Sequence, residues 1–155
     1  MAALILDIDV TLTKGNQKVI KSMVSRARDL GAEVYVNTAR LRHNPFHQCV
    51  SNFTRHDLHI PINRHYCRSQ MNGPHSKLKN MDDISEQNMH IRPKCMVLVD
   101  DRLDNCKKVE EGGYSSVLTP EGIQEVHADK ILKSLSYCMN NKSSFHDDFT
   151  KGQAK

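Results

Sequence analysis

Aspartates stand at positions 7 and 9, directly after an apolar run, and Thr11 follows two residues further on. A second apolar run closes on Asn37, Thr38 and Arg40, and a third on Asp100 and Asp101, with Asp104 and Asn105 close behind. Lys77 lies between the second and third groups. Carboxylates in such a set can hold a hard divalent cation through oxygen, and one of them can attack an electrophile while its neighbour moves a proton. A hydroxyl, an amide and an ammonium can bind the oxygens of an anion. Taken singly, each group also has an ordinary structural use. Asp7 and Asp9 can shape a turn, Thr38 can cap a helix, Asp100 and Asp101 can cap the helix after them, and Lys77 can face solvent.

What positions these residues is an alternation of strands and helices. ALILDI (3–8) reads as a buried strand, and AEVYVNT (32–38) as a second. Between them, residues 16–30 carry Val19, Ile20, Met23, Val24, Ala27 and Leu30 at helical spacing, with Gly31 as the stop. A helix is predicted over 45–56, with Pro45 in its first turn, followed by extended stretches at 59–62 and 65–68 and a loop at 69–74. From 76 to 89 Leu78, Met81 and Ile84 again recur helically. Pro93 interrupts, CMVLVD (95–100) is the strongest strand signal, and a short helix is predicted over 103–111. Gly112-Gly113 turns into a strand at 114–118, and Pro120 is expected to open a last helix reaching Met139. The polar tail, 140–155, is predicted to be disordered. The order predicts one α/β domain over 1–139, a three-layer α/β/α sandwich with a mostly parallel, Rossmann-like sheet. In such sheets the functional crevice lies beyond the carboxyl ends of the strands, where the residues above fall.

With the elements in place, a resemblance becomes specific. LILDIDVTLT resembles the first motif of the haloacid-dehalogenase-like superfamily, an apolar strand followed by DxDxT. VNTAR is similar to its second motif, Lys77 to its third-motif lysine, and VLVDDRLDN to its acidic fourth motif. The four occur in the family's order. A response-regulator receiver domain uses similar groups, but its acidic pair comes early and its lysine late, which does not fit Asp100 and Asp101 following Lys77.

The resemblance implies a magnesium-dependent phosphohydrolase. Asp7 would be the nucleophile and form an aspartyl phosphate, with Asp9 giving a proton to the leaving oxygen and then taking one from water. Asp7, Asp100 and the backbone carbonyl of Asp9 would bind Mg2+, while Asp101 or Asp104 would hold a metal-bound water. Thr38, Asn37 and Lys77 would bind the phosphoryl oxygens. Lys79 is the rival to Lys77, because a third-motif lysine has no local signature. Members of the family that cleave carbon–halogen bonds lack the second aspartate, so Asp9 favours a phosphatase.

Family members with small substrates often carry an inserted cap. Here 28 residues separate Asp9 from Thr38 and 38 separate Thr38 from Lys77, too few for a separate cap domain. A capless, open site suits a bulky phosphorylated substrate, a protein or a nucleic-acid end, with Arg40 and Arg42 expected at its rim. The alternative is a non-catalytic module of the same fold that binds a phosphorylated protein or nucleic acid.

The stretch 43–75 is rich in histidine and cysteine. His43 and His47 are four apart, but no paired-cysteine spacing accompanies them, so scattered histidines are expected rather than structural zinc. The five cysteines form no CxxC pair, and reduced thiols are expected. The formal net charge of +4 is mild. No run approaches a membrane span, and the N-terminal residues lack the pattern of a secretion signal. A cytoplasmic or nuclear location is the resulting expectation, with no membrane partner.

Overall fold

The computed structural model describes residues 1–46, 48–68 and 72–140. Among the described residues five strands form one all-parallel sheet: β1 (Ala3–Leu6), β2 (Glu33–Asn37), β3 (His65–Tyr66), β4 (Met96–Asp100) and β5 (Ser115–Leu118). Their order is β3-β2-β1-β4-β5. The helices are α1 (Gln17–Asp29), α2 (Gly73–Gln87), α3 (Leu103–Glu111) and α4 (Glu125–Asn140). The chain is thus Rossmann-like in strand order, and it reverses direction across the sheet between β1 and β4. That switch leaves a crevice beyond the carboxyl ends of these two strands.

Both central strands are buried along their full length, as parallel strands with covered faces are. Their register sets the site. Leu6 lies opposite Val36 on one side and Val99 on the other, and the Asp7 amide donates to the Val99 carbonyl at 3.0 Å. Asp7, Asn37 and Asp100 therefore leave the sheet at the same level.

The first helix follows from its sequence. Asn16 accepts from the Val19 amide at 3.2 Å, Ile20, Met23, Val24 and Ala27 make the buried stripe, and Arg26 and Arg28 complement the dipole at its end. Gly31, at φ +91°, turns the chain into β2. α1 packs against α4, and α2 against α3.

Three expectations are corrected. Among the described residues of 45–56 no α-helix forms: bends lead to a single π-type turn at Phe53–Asp57. Phe46, Cys49, Val50 and Phe53 have the spacing of a helix face, but Phe46 is exposed and only Cys49 is fully buried, so no continuous stripe is packed to stabilise a helix. Second, α4 opens at Glu125 rather than at Pro120. Residues 119–124 instead dock on the loop after β1, with the Ile123 amide on the Thr11 carbonyl and the Asn16 amide on the Ile123 carbonyl, both at 2.9 Å. Gly122 (φ +93°) lies so close to Gly15 that a Cβ would sit 2.5 Å from its nitrogen. Third, four of the five cysteines are paired, Cys49 with Cys67 and Cys95 with Cys138, and only Cys106 is free. Sequence spacing carries no record of a contact made across 18 or 43 residues.

α2 begins at Gly73, capped by Asn72, ahead of the expected 76. His47, residues 69–71 of the expected loop and residues 141–155 of the expected tail lie outside the described residues. Among the described residues no helix is long and apolar enough to cross a membrane.

Candidate functional site

β1, β2 and β4 deliver Asp7, Thr38 and Asp100 to the crevice, and α2 delivers Lys77 across it. Lys77 falls on the buried stripe of α2 with Asn80, Met81 and Ile84, at the i, i+3, i+4, i+7 spacing of one helix face. Its side chain is 1% exposed, and its Nζ lies 2.7 Å from Asp7 Oδ1, 2.9 Å from Asp100 Oδ2 and 2.6 Å from the Asn37 carbonyl. Lys79 points out of the fold to Asp83. Geometry therefore separates the two lysines that sequence left as rivals.

Asp7, Asp100 and Asp101 each offer a carboxylate oxygen within 4.8 Å of the others. Asp7 also accepts from the Thr11 hydroxyl at 3.0 Å. Asp100 accepts from the Arg102 amide at 2.9 Å and from Asn105 Nδ2 at 3.3 Å. Burial raises the Asp7 carboxyl to about 7; Lys77 opposes the rise and Asp100 adds to it. Burial works against the Lys77 ammonium, but Asp7 and Asp100 outweigh it and hold the lysine protonated.

Three clustered carboxylates, two of them buried against a single ammonium, leave an excess of negative charge that a divalent cation would neutralise. The donor set is all oxygen, as magnesium prefers. Asn105 adds a second sign: its Oδ1 is buried beside Asp100 and has no hydrogen-bond partner. The residues present fit such an ion.

The other expected residues take up different positions. Asp9 stands outside the acidic cluster, and its carbonyl accepts from the Thr11 amide at 2.7 Å. Its carboxylate is clasped by Arg40, through Nε at 3.0 Å and Nη2 at 2.6 Å. Arg40 is thus turned inward rather than presented at a rim, and its Nη1 also donates to the Gln48 carbonyl at 3.1 Å. Arg42 is exposed and donates to the His65 carbonyl at 3.3 Å. Thr38 is buried at the end of β2, and its hydroxyl accepts from the Arg40 amide at 3.1 Å.

Asn37 is a strut rather than a free ligand. Its Nδ2 donates to the Lys77 carbonyl and its Oδ1 accepts from Asn80, so both ends of the amide join β2 to α2. Asp104 turns to the Arg102 guanidinium, which holds it below the usual carboxylate range. His65 is a satisfied core histidine, bonded to the Thr54 hydroxyl and the Pro61 carbonyl. His43 is exposed, and among the described residues no histidine or cysteine joins a group of metal ligands.

Thr11 and Asn105, noted in the sequence but given no role, and Asn80, not noted there, are further site residues. Thr11 was visible in the DxDxT spacing. Asn80 was visible as a polar residue on the apolar stripe of α2. Val10 is a further feature of the same turn: it adopts φ +65°, a conformation that a β-branched residue rarely accepts, at the point where the chain swings Asp9 toward Arg40.

No family model matches the chain, and no curated protein does. Among solved structures, an uncharacterized protein from Corynebacterium glutamicum ATCC 13032 is similar at a TM-score of 0.63 and 15% identity, over 87% of this chain and 95% of that one. At that identity the likeness shows the fold alone.

Proposed function

We propose that this chain is a magnesium-dependent phosphohydrolase of the haloacid-dehalogenase-like type, with Asp7 as nucleophile. One observation carries the reading: Asp7, Asp100 and Asp101 converge within 4.8 Å of one another, with the Lys77 ammonium bridging the first two. The helix pairings support the three-layer α/β/α arrangement expected of that type.

Asp7, Asp100 and Asp101 would hold the cation. When bound, it supplies positive charge to a phosphoryl group and so lowers the cost of bringing a carboxylate against an anion. Lys77 keeps one Asp7 oxygen in place and the Thr11 hydroxyl the other, so the carboxylate is oriented before substrate arrives. Its attack on phosphorus would make the Asp7–O–P bond and break the bond to the leaving oxygen. Asp9 would protonate that oxygen and later deprotonate the water that cleaves the acyl phosphate. For this its carboxylate has to leave Arg40 and take up a proton from solvent, and an arriving phosphate offers Arg40 a second bidentate oxygen partner.

The Arg40–Asp9 clasp is also what favours the second reading, a module that binds a phosphorylated partner without turnover. Release of phosphate from a generic aryl phosphate, with and without Mg2+, decides between them. The enzyme reading expects metal-dependent release that Asp7→Asn abolishes; metal-independent release, or none at all, counts against it.

A further inference from the structure

The reactivity of a sulfur depends on its access and on the charges beside it, and two stretches of this chain set cations next to cysteine. Arg92 and Lys94 lead into Cys95, just ahead of β4, and Lys133 precedes Cys138 near the end of α4. Pro93 opens a tight turn over Pro93–Cys95, and Cys95 is left 2% exposed at its end. Cys138 is only half-buried. The two are bonded to each other across 43 residues.

Both cysteines line a cavity of about 430 Å³. It lies where Cys95 precedes β4 and Ser115 opens β5, at the other end of the sheet from Asp7 and Asp100. Arg92, Lys94 and Lys133 line it too, and among its described lining residues there is no acid. Lys94 and Lys133 are exposed, and among the described residues neither ammonium enters an ion pair. Arg92 is placed differently: its Nη2 is directed at Cys95 Sγ, at 3.6 Å.

These features sort the two sulfurs into different roles. In thiol–disulfide exchange a thiolate bonds to one sulfur and expels the other, at a rate set by access and by the stability of the departing thiolate. Cys138 is the more exposed of the pair. Cys95 has the guanidinium, which stabilises a thiolate. The two lysines choose the incoming partner, because a positive cavity concentrates anions. We propose that Cys138 is a thiolation site for a small anionic thiol. The incoming thiolate bonds to Cys138 Sγ, the Cys95–Cys138 bond breaks, and its electron pair leaves on Cys95 Sγ beside Arg92. The incoming sulfur is oxidised and Cys95 is reduced, so one thiolate enters, one leaves, and no other oxidant or reductant is needed. Neither the docking nor the exchange depends on chemistry at Asp7.

The test exposes the native full chain, without denaturant, to mercaptoethanesulfonate or to cysteamine, small thiols of opposite charge. Samples are quenched in acid at early times, and the adduct is located by mass spectrometry. At low salt the anionic thiol should add to Cys138 about 10-fold faster, per thiolate, than the cationic one, and salt should erode the difference. Lys94→Glu combined with Lys133→Glu should reverse the order. Arg92→Gln should slow both thiols alike, by about 5-fold, because it acts on the departing sulfur and not on the incoming charge. Melting temperatures establish that each variant is folded. Equal rates for the two thiols on the unaltered chain at low salt overturn the proposal. So does an adduct carried on Cys95, the absence of any Cys138 adduct, or a native chain whose Cys95 and Cys138 are already free thiols.

Discussion

The Lys77 ammonium lies 2.7 Å from the Asp7 carboxylate, although 70 residues of chain separate them. The lysine comes from the first turns of α2 and the aspartate from the end of β1, so the pair exists only when helix and sheet are docked. Both groups are nearly inaccessible to water, and a second carboxylate, Asp100, closes on the same ammonium.

Removing the lysine should therefore be expensive. Lys77→Met leaves two buried carboxylates facing each other without a counter-charge, and breaking such a pair from one side costs about 3–5 kcal/mol. Urea denaturation at neutral pH should show a loss of that size, smaller at acid pH where the carboxylates can protonate. Lys79→Met, which removes only an exposed pair with Asp83, should leave the denaturation midpoint nearly unchanged.

Asp7 also makes a pH prediction for the metal-free protein. Its folded carboxyl titrates at about 7, above the unfolded value of 3.8. The native state thus binds the extra proton between those values, so the group's contribution is fully present below about 4 and is lost as pH rises through about 7. The denaturation midpoint should fall across that window without Mg2+, and Asp7→Asn should flatten the fall. Mg2+ should counteract it, and calorimetry in two buffers should detect proton release on metal binding below pH 7.

Val10 is strained at φ +65°. The left-handed conformation costs an ordinary side chain roughly 1–2 kcal/mol, and a glycine is free of that penalty but loses about 0.5–1 kcal/mol in chain entropy. Val10→Gly should accordingly be neutral or stabilising by up to about 1 kcal/mol in thermal unfolding. A loss comparable to that of Val19→Gly, on regular α1, would show that the turn is not strained.

The cysteine pairing can be counted directly. Unreduced, denatured protein should show one reactive thiol per chain, Cys106, and reduction should release the four of the two disulfides. In the folded protein Cys106 should react slowly at pH 8, because burial pushes its thiol to about 11 and little thiolate is present. Fast labelling of the native chain at several cysteines would contradict the pairing.

How much of this was legible beforehand depended on range. The strands, α1, α3 and the alternation that makes a parallel sheet could be read from the chain because they rest on local periodicity and caps, as with Asn16 and Gly31 around α1. The placing of Asp7, Thr38 and Asp100 at strand ends was likewise a local fact, and it located the crevice. The failed helix over 45–56 and the late start of α4 show the limit: a proline in a plausible first turn does not make a helix where no stripe is buried, and Gly122 is held by Gly15, far back in the chain.

Tertiary structure decided the partners. Lys77 rather than Lys79 meets Asp7, Asn37 braces α2 instead of facing the crevice, Arg40 turns in to Asp9, and Cys49 finds Cys67. A side chain's type and its place on a helix or strand are set within a few residues. Which groups it meets depends on how the elements pack, and buried charges and amides take the partner that restores the interactions lost with water.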